Sequence, residues 1–565
     1  MANTVLFIIV LLVAVVASAL AVYFAVGLNN AKKDDDRTAT SKKAIQTLCQ
    51  PTQFKETCEE SMASSNSSDP KELIRTEFKA TVAEIKNLVE NSKTVKELQA
   101  DENTKEAFRT CQELFDWSIQ DLERSFDKLG EYDMQKIGEI LLTLQVWLSG
   151  VLTSQQTCID SYVEMNGEAA EKMRSIMTKA QELSRNGLTI LNGLSSITKE
   201  LNIPNIGNID AGGVQRRLLL EKKSEFPEWM SYSDRKLLQA KTEDLTPTMV
   251  VAKDGSGKYD SIAKAVAEIP RKNAKRVVIH IKEGVYTERI DIPRSMTHVM
   301  LIGDGPTKTI ITNSVSVNKT KPKPTTFHTA TVSATGMNFI AKDIGFENSI
   351  GPDGHQAVAL RASGDMAAFY NCHFNGYQDT LYAHAGRQFY RDCTITGTID
   401  FIFGDARAVF QNCLLLVRKP MENQNCICIA QGRQLPESKG GYVLQNCTFS
   451  GDKDYLPLKD KNLSYLNRPW RAYATVIIMQ SQIDDIIQPL GYVPMNGDKG
   501  LETSFYVEFE NRGPGSKTDG RAKWGGIKKL DLAAIKQFTP RIYLESETWI
   551  PQIGIPIIPD MVTGV

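Results

Sequence analysis

The chain has 565 residues, more than the roughly 100–200 residues of one domain, so more than one folding unit is expected. Its composition is 42% hydrophobic and 24% charged with a net charge of −1, which excludes a disordered or collagen-like chain and argues against a strongly basic nucleic-acid-binding protein. The charge is unevenly divided, because residues 1–239 carry −6 and residues 240–565 carry +5. We therefore expect two parts of opposite sign.

The amino terminus, residues 1–30, predicts entry into the secretory pathway. Residues 4–28 contain no charged side chain, and this run is long enough to span a bilayer. A signal-anchor and an atypical signal peptide both fit, whereas a buried core helix fits poorly because the run is apolar on every side. Lys32 and Lys33 would favour a cytoplasmic carboxyl side, but the cysteines and sequons favour the lumenal side, which we give more weight.

Cysteines and sequons agree with a secreted chain. Cysteines in an oxidising compartment are expected to be partly paired. Four lie in the first part and six in the second: Cys49, Cys58, Cys111, Cys158, Cys372, Cys393, Cys413, Cys426, Cys428 and Cys447. Four Asn-X-Ser/Thr sequons are compatible with glycosylation, although short sequons also arise by chance: Asn66, Asn318, Asn446 and Asn462.

Residues 40–200 have the 3.6-residue periodicity of amphipathic helices. One apolar stripe runs from Ile74 to Val89, and a wider one runs from Ile137 to Val151. These stripes predict an all-α bundle.

The four cysteines of this part predict two disulfides. Cys111 shares an apolar stripe with Phe108, so it points inward, where Cys158 could meet it. Cys49 and Cys58 are near neighbours in sequence and suit an amino-terminal hairpin. Four cysteines permit three connectivities, and the sequence alone does not choose among them.

Residues 201–245 have the character of a linker with processing sites. They contain a Gly-Gly pair and two basic pairs, Arg216-Arg217 and Arg235-Lys236, each followed by two leucines. An exposed stretch with basic pairs is where a processing protease could cut. The alternative is a solvated linker whose charges are incidental.

An internal repeat marks residues 246–565. Short β segments end on Cys372, Cys393, Cys413 and Cys447, in steps of 21, 20 and 34 residues, and Ile344 fits the same frame one step earlier. A β unit that recurs every ~20–30 residues is typical of a parallel β-helix. A sandwich or propeller is the alternative, and the uneven spacing disfavours a propeller.

Two aspartates have matching places in this repeat. Asp379 lies seven residues after Cys372, and Asp400 lies seven residues after Cys393. Equal offsets in consecutive coils place both carboxylates side by side, where an apolar frame would push their pKa values apart. The pattern predicts an acid and nucleophile pair rather than two unrelated turn residues.

Several sequence blocks resemble the signature blocks of plant pectin methylesterases, in order and at similar spacing. They are Gln356-Ala-Val-Ala-Leu360, Gly376-Tyr-Gln-Asp-Thr-Leu-Tyr382, Arg387-Gln-Phe-Tyr-Arg-Asp-Cys393, Asp400-Phe-Ile-Phe-Gly404, Ala430-Gln-Gly-Arg433 and Arg468-Pro-Trp470. The resemblance covers about residues 246–550. The helical part, with its four cysteines, resembles the pectin methylesterase inhibitor domain that precedes the catalytic domain in pro-forms of this family.

The resemblance implies a two-domain protein, an all-α four-helix bundle followed by an all-β right-handed parallel β-helix that hydrolyses methyl esters of homogalacturonan. Asp400 matches the nucleophile, and Asp379 matches the acid that protonates methoxide and then activates water. Gln378 matches the group that stabilises the oxyanion, with Gln356 beside it. Arg468 matches the cation that keeps Asp400 ionised.

The resemblance also implies a substrate groove and coil disulfides. The groove residues would be Thr326, Gln356, Arg468 and four aromatic residues, although aromatic residues in β coils are more often core: Phe327, Tyr382, Phe403 and Trp470. Cys413 and Cys447 reproduce the family's 34-residue disulfide spacing, and Cys372 with Cys393 is the other expected pair. Cys426 and Cys428 have no expected partner.

Other chemistries find less support. There is no Gly-X-Ser-X-Gly elbow of a serine esterase, and the six histidines lack metal-ligand spacing, so neither a cofactor nor a metal is expected. A polysaccharide lyase or hydrolase acting on the same polymer is one alternative, but a lyase would need a calcium-binding carboxylate cluster. A catalytically dead carbohydrate-binding or inhibitor protein is another.

These features predict a pro-protein that is secreted to the cell wall. Its expected partners are pectin, a processing protease, the membrane before cleavage, and a proteinaceous inhibitor, either its own helical part or a separate protein. No nucleic-acid partner is expected.

Overall fold

The structure is a computed structural model that describes residues 39–102, 104–200 and 247–564. The apolar run at residues 4–28 and both basic pairs of the linker lie outside these ranges. Within them, no helix is both long enough and apolar enough to cross a membrane.

The first part is a bundle in which α3, α5, α6 and α7 pack side by side, while α1 and α2 form a hairpin at its end. Asp69 caps α3 by accepting a hydrogen bond from the Lys71 N–H, and Pro70 takes the first helical position, where no N–H is needed. The helices are α1 (39–49), α2 (Lys55–Met62), α3 (Pro70–Asn91), α4 (Lys93–Ala100), α5 (Lys105–Glu131), α6 (Leu141–Met165) and α7 (Gly167–Glu200).

The predicted apolar stripes form the core of this bundle. Ile74, Phe78 and Ile85 of α3 are buried, and Leu148 of α6 lies in the same cluster. One disulfide joins Cys49 to Cys58 across the hairpin, and a second joins Cys111 of α5 to Cys158 of α6.

The second part is a solenoid of three parallel sheets. The first has eleven strands: β1 (Met249–Val251), β2 (Val277–Ile281), β5 (Val299–Gly303), β8 (Ile340–Lys342), β11 (Ala367–Tyr370), β14 (Arg387–Arg391), β17 (Arg407–Gln411), β20 (Gly441–Gln445), β23 (Thr475–Met479), β25 (Phe505–Phe509) and β26 (Ile527–Lys528). The second has eight: β3 (Gly284–Thr287), β6 (Thr309–Asn313), β9 (Gly345–Asn348), β12 (His373–Asn375), β15 (Thr394–Gly397), β18 (Leu414–Val417), β21 (Thr448–Gly451) and β24 (Gln482–Ile483).

The third sheet has seven strands and is called the groove sheet below. Its strands are β4 (Ile290–Ile292), β7 (Val332–Ala334), β10 (Leu360–Ala362), β13 (Leu381–Ala383), β16 (Ile402–Gly404), β19 (Cys426–Gln431) and β22 (Ser464–Asn467). Three short helices also belong to this part: α8 (Ile262–Ala267), α9 (Leu532–Ile535) and α10 (Pro540–Tyr543).

Strand register confirms the predicted repeat. Phe369 pairs with Tyr390 and Tyr390 with Phe410, and their rings stack inside the solenoid with centroids 4.8 and 4.5 Å apart. The corner between the first and second sheets is formed by a residue with positive φ in six successive coils, a conformation that Asn tolerates. The corner residues are Asp343, Asn371, Asp392, Asn412, Asn446 and Gln480.

The β-helix has a core of its own. Two apolar clusters, one inside the solenoid and one between the first sheet and residues 532–561, contain only residues from 249 onward. None of the bundle side chains that the structure describes contributes to either cluster, so these two cores of the β-helix are independent of the bundle.

The structure corrects the predicted coil disulfides. Cys372, Cys393, Cys413 and Cys447 are buried free thiols, as are Cys426 and Cys428. Their corner position stacks the first four in one row, one strand spacing apart, so Cys393 and Cys413 each have a thiol on both sides and the spacing selects no pair. These thiols also lie against main-chain carbonyls, as Cys447 does at 3.4 Å from the Phe410 oxygen.

One predicted glycosylation site also needs correction. Asn462 is 4% exposed, and its amide donates to the Gln424 carbonyl at 2.8 Å, so it has no room for a glycan. Asn446 is half-buried and Asn66 and Asn318 are exposed, and these three stay predictions.

Candidate active site

Asp379 and Asp400 lie at one corner of the solenoid, in adjacent coils. Each lies two residues before a groove-sheet strand, and those strands pair Leu381 with Ile402. Both aspartates have positive φ, +63° and +51°, and the Asp379 N–H donates to the Ile399 oxygen at 3.0 Å. Because the parallel strands pair in register, equal offsets in the sequence place the two aspartates at equivalent positions in adjacent coils.

Apolar residues flank this carboxylate pair. The same register places Val358 before Asp379 and Ile427 after Asp400, and both apolar side chains are buried. The aspartates are only 8% and 5% exposed. Burial and the neighbouring charge of Asp400 raise the pKa of Asp379 well above its ordinary value.

Arg468 makes the pair unequal. It follows β22, and its Nε and Nη2 donate to the two Asp400 oxygens at 2.7 and 2.5 Å. Burial raises the pKa of Asp400, and the hydrogen bonds and charge of Arg468 oppose that rise. Arg468 thus orients the Asp400 carboxylate and favours its ionised form over that of Asp379.

The two predicted glutamines lie at the same corner. Gln378 directly precedes Asp379 and is partly exposed. Gln356 lies one coil earlier, where the next residue, Ala357, donates its N–H to the Gln378 main-chain oxygen at 3.2 Å. The two glutamines therefore lie in adjacent coils beside the carboxylate pair, and their role stays a prediction.

The predicted aromatic residues form a strip along the groove sheet. The rings of Tyr382 and Phe403 stack at 4.2 Å, and Trp470 lies 5.9 Å from Phe403. Phe327 lies farther along, beside His384 at 5.7 Å. These residues point outward from the solenoid, so they are not part of its inner core.

The bundle covers this strip, mainly with α6. Polar residues recur along α6 at one-turn spacing, and they contact the groove although they would suit a solvent-exposed face. Thr153 donates to Asp405 at 2.8 Å, and Thr157 is hydrogen-bonded to His384 at 3.0 Å. Their neighbour Trp147 donates its indole N–H to Asp365 at 2.9 Å.

Acidic residues of the bundle meet the ends of the groove. Glu164 accepts a hydrogen bond from the Thr326 N–H at 2.7 Å. The bundle thus contacts a predicted substrate-binding residue. Burial raises the pKa of Glu164 to about 7. Asp160 forms an ion pair with Arg471, and Asp121 of α5 forms one with Arg294.

A cavity of 260 Å³ remains between the bundle and the groove. Its lining includes Trp470, Tyr382 and Arg471 from the groove and Arg174 and Gln181 from α7. The groove is therefore covered but not completely filled.

Sequence reasoning missed several of these residues. Arg361, directly after the block that begins at Gln356, lies in the groove with its guanidinium buried. Glu164 and Asp160 contact the groove from α6. In the sequence, the α6 residues form a polar stripe at helical spacing. Such a stripe cannot be distinguished from a solvent-exposed face.

Within the described ranges, no group of three or more His, Cys, Asp and Glu side chains is arranged to hold a metal ion.

A parallel β-helix with an arginine-held carboxylate pair in an aromatic groove has the features of a carbohydrate-active hydrolase. Comparison with known proteins is more specific. The pectinesterase family matches residues 248–547, and the plant invertase/pectin methylesterase inhibitor family matches residues 43–190. The chain belongs to the pectinesterase family and carries an inhibitor-family region ahead of its β-helix.

Individual relatives agree with that assignment. Pectinesterase/pectinesterase inhibitor U1 of Solanum lycopersicum is 36% identical over 569 residues, covering 96% of this chain and 95% of its own length. The pectinesterase of Petunia integrifolia is 47% identical over 387 residues, covering 68% of this chain and 98% of its own. The solved pectin methylesterase from carrot is 40% identical with a TM-score of 0.55, covering 57% of this chain and all of the carrot chain.

Proposed function

We propose that the β-helix hydrolyses the methyl esters of pectin to free carboxylates and methanol, with Asp400 as nucleophile and Asp379 as acid and base. The family supports the reaction. The observation that carries the roles is the bidentate contact of Arg468 with Asp400 alone, which makes one carboxylate a fixed anion and leaves its neighbour protonated.

The first half of the reaction forms a covalent intermediate. An Asp400 oxygen attacks the ester carbonyl carbon, and the amides of Gln378 and Gln356 donate to the oxyanion that develops. As the carbon–oxygen bond to the methoxy group breaks, Asp379 gives its proton to the leaving oxygen. Methanol departs, and the galacturonate carbonyl stays joined to Asp400 as an anhydride.

The second half restores the enzyme. Asp379, now a carboxylate, removes a proton from water, and the resulting hydroxide attacks the same carbonyl carbon. The bond to Asp400 breaks, which releases the galacturonic acid group, and this group loses its remaining proton to solvent and becomes a carboxylate. Asp379 ends protonated and Asp400 ends ionised, as they began. Aromatic faces of Tyr382 and Trp470 would hold the sugar rings along the groove.

The bundle is proposed to be an inhibitory pro-region. Thr326, Tyr382 and Trp470 are all contacted or shielded by α6 and α7 in the uncut chain, so a polymer could not lie along the groove. We assign residues 40–200 to this region, 201–245 to the segment where a protease would cut, and 246–565 to the catalytic domain. Secretion to the cell wall, directed by residues 1–30, completes the proposal.

The test is methanol release from highly methylated pectin by the purified catalytic domain and by the uncut chain. The catalytic domain should release methanol, the uncut chain should release much less, and Asp400→Asn should abolish release. Asp260→Asn, an exposed aspartate of the same domain, is the matched control and should stay active. Polymer binding without methanol from the wild type would instead support a carbohydrate-binding protein.

A further inference from the structure

Arg361 is a buried cation in the groove that the proposed mechanism does not use. It lies on β10, where register pairs it with Tyr382 of β13, and so it continues the row of outward side chains by one coil. Its side chain is 2% exposed, and its Cζ lies 3.4 Å from the centre of the Phe327 ring. Nη2 donates to Ser333 at 3.1 Å, whereas Nε and Nη1 have no hydrogen-bond partner among the described residues.

A guanidinium with two unpaired nitrogens is costly to bury, and such a group normally faces an anion. The bundle supplies one. Glu113 of α5 places one carboxylate oxygen 4.0 Å from Arg361 Nη2, and its other oxygen lies 3.2 Å from His328 Nε2. Burial works against ionisation of Glu113, but the His328 hydrogen bond and the Arg361 charge lower its pKa overall.

The solenoid itself provides a weaker anionic environment for Arg361. Asp291 lies two strands away in the same row of the groove sheet, with Ser333 between them, and Arg289 adds a positive charge nearby. Without the bundle, Arg361 Nη2 would therefore lose the Glu113 carboxylate. Arg361 lies one strand spacing, about 5 Å, from Tyr382 in the groove sheet, on the Asp379 side of the carboxylate pair.

We propose that Arg361, with His328 beside it, is a binding site for the free carboxylate of a galacturonate unit in the polymer, and that Glu113 occupies this site in the uncut chain. The inference rests on the proposed function. It predicts that an ester is hydrolysed more readily when a de-esterified sugar lies at the Arg361 end of the groove. Free carboxylates made by earlier turnovers would then improve the substrate.

The first test compares two polymers on the catalytic domain, one almost fully methyl-esterified and one partly de-esterified. Arg361→Gln should raise KM for the partly de-esterified polymer roughly tenfold, as expected for loss of a charged hydrogen bond, with little change in kcat or on the fully esterified polymer. Arg361→Lys should restore part of the affinity. Lys308→Gln removes one exposed charge outside the groove and should change neither value.

Equal changes on both polymers, or none, would overturn the proposal, since a merely structural arginine would not distinguish them. If Arg361→Gln does not fold, the comparison is made with Arg361→Lys, whose single ammonium should give an intermediate KM on the de-esterified polymer alone.

The second test needs no catalysis. Binding of unesterified trigalacturonate to the catalytic domain is measured by titration calorimetry, and Arg361→Gln should weaken it roughly tenfold. Unchanged affinity would refute the site. A wild type that binds trigalacturonate through Arg361 but releases no methanol would reject the proposed function while keeping this inference, so the two failures are distinguishable.

Glu113 is tested in the uncut chain. Glu113→Gln leaves Arg361 without its anion, so methanol release by the uncut chain should rise, and added trigalacturonate should raise it further. Glu131→Gln, an exposed glutamate at the end of α5, should leave the restraint intact. If the uncut wild type and Glu113→Gln release methanol at the same rate, the contact of Glu113 with Arg361 does not contribute to inhibition.

Discussion

The bundle and the β-helix position their functional groups by different means. In the β-helix, the main chain places them: positive-φ corners and strand register bring Asp379 and Asp400 together in adjacent coils. In the bundle, helix packing places them: Thr153 and Thr157 reach the groove because they lie one turn apart on one face of α6. One framework is fixed by hydrogen bonds between coils, and the other by an apolar core and two disulfides.

This difference suits the tasks proposed for the two parts, catalysis by the β-helix and restraint by the bundle. A catalytic pair needs a fixed mutual position, which repeated backbone geometry provides. A removable cover needs a face that water can accept once it leaves, and the polar residues of α6 provide that face. The changes below should therefore affect one part and spare the other.

The largest effect is expected from the long disulfide of the bundle. Replacing Cys111 and Cys158 with serine opens a loop of 47 residues and should lower the free energy of unfolding of the bundle by ~4 kcal/mol. Replacing Cys49 and Cys58, nine residues apart, should cost only ~2.6 kcal/mol. Urea unfolding followed by the helical circular dichroism signal measures both. Equal losses, or a shift in the unfolding of the β-helix, would contradict the comparison.

The next effect concerns the catalytic pair. Arg468→Gln removes the cation that opposes protonation of buried Asp400, so the pKa of Asp400 should rise and the acid limb of kcat/KM should move to higher pH. Activity at neutral pH should fall by about 10²–10³-fold. Arg468→Lys keeps the positive charge, and its activity should lie between that of the wild type and that of Arg468→Gln. An unmoved acid limb would show that Arg468 does not control the ionisation of Asp400.

A smaller, pH-dependent effect is expected at the contact between the two parts. Burial raises the pKa of Glu164 from 4.5 to about 7, near Asp160, Lys323 and Asp379. If release of the bundle exposes Glu164, its proton stabilises the covered state fully below pH 4.5, and that contribution is lost as the pH rises toward 7. Methanol release by the uncut chain should rise on the order of tenfold to a hundredfold over this range.

Glu164→Gln should remove this pH response. The amide has the shape of the protonated acid and can still accept from the Thr326 N–H, so the uncut chain should stay restrained at neutral pH. Glu168→Gln, an exposed residue on α7, should respond to pH as the wild type does. A pH response that survives Glu164→Gln would assign it to another group.

The smallest effect is expected at a corner of the solenoid. Asn412 has a φ of +58°, which a β-branched residue adopts only at a cost of roughly 1–2 kcal/mol, so Asn412→Val should destabilise the β-helix by about that amount. Asn412→Gly accepts this φ but loses the hydrogen bond from Asn446, and should cost less. Thermal unfolding of the catalytic domain measures both, and the bundle transition should not move.

The sequence predicts best what the repeat controls. Asp379 and Asp400 could be paired from their equal offsets, because register turns a spacing into a position. The same rule failed for the coil cysteines, since it stacks Cys372, Cys393 and Cys413 in one row and so chooses no pair among them. Asn462 was misjudged because three residues make a sequon, whereas the coil around them decides its exposure.

Contacts between the two parts were beyond the sequence. Glu164 and Glu113 belong to helices whose polar faces have the appearance of solvent-exposed faces, and only the presence of the groove buries them. Arg361 lies between two recognisable blocks, but nothing in its spacing indicates an unpaired guanidinium. Predicting such residues requires knowing how the two folding units are placed relative to each other, and a periodic sequence pattern does not contain that information.

The position of the bundle over the groove has a consequence for concentration. Because cover and groove belong to one chain, their effective concentration is set by the connecting segment and does not depend on how much protein is present. A cut between residues 201 and 245 would leave the contacts described above in place, yet it would turn an intramolecular equilibrium into a bimolecular one. Dilution outside the cell would then uncover the groove, and a single hydrolysed peptide bond would suffice as the switch.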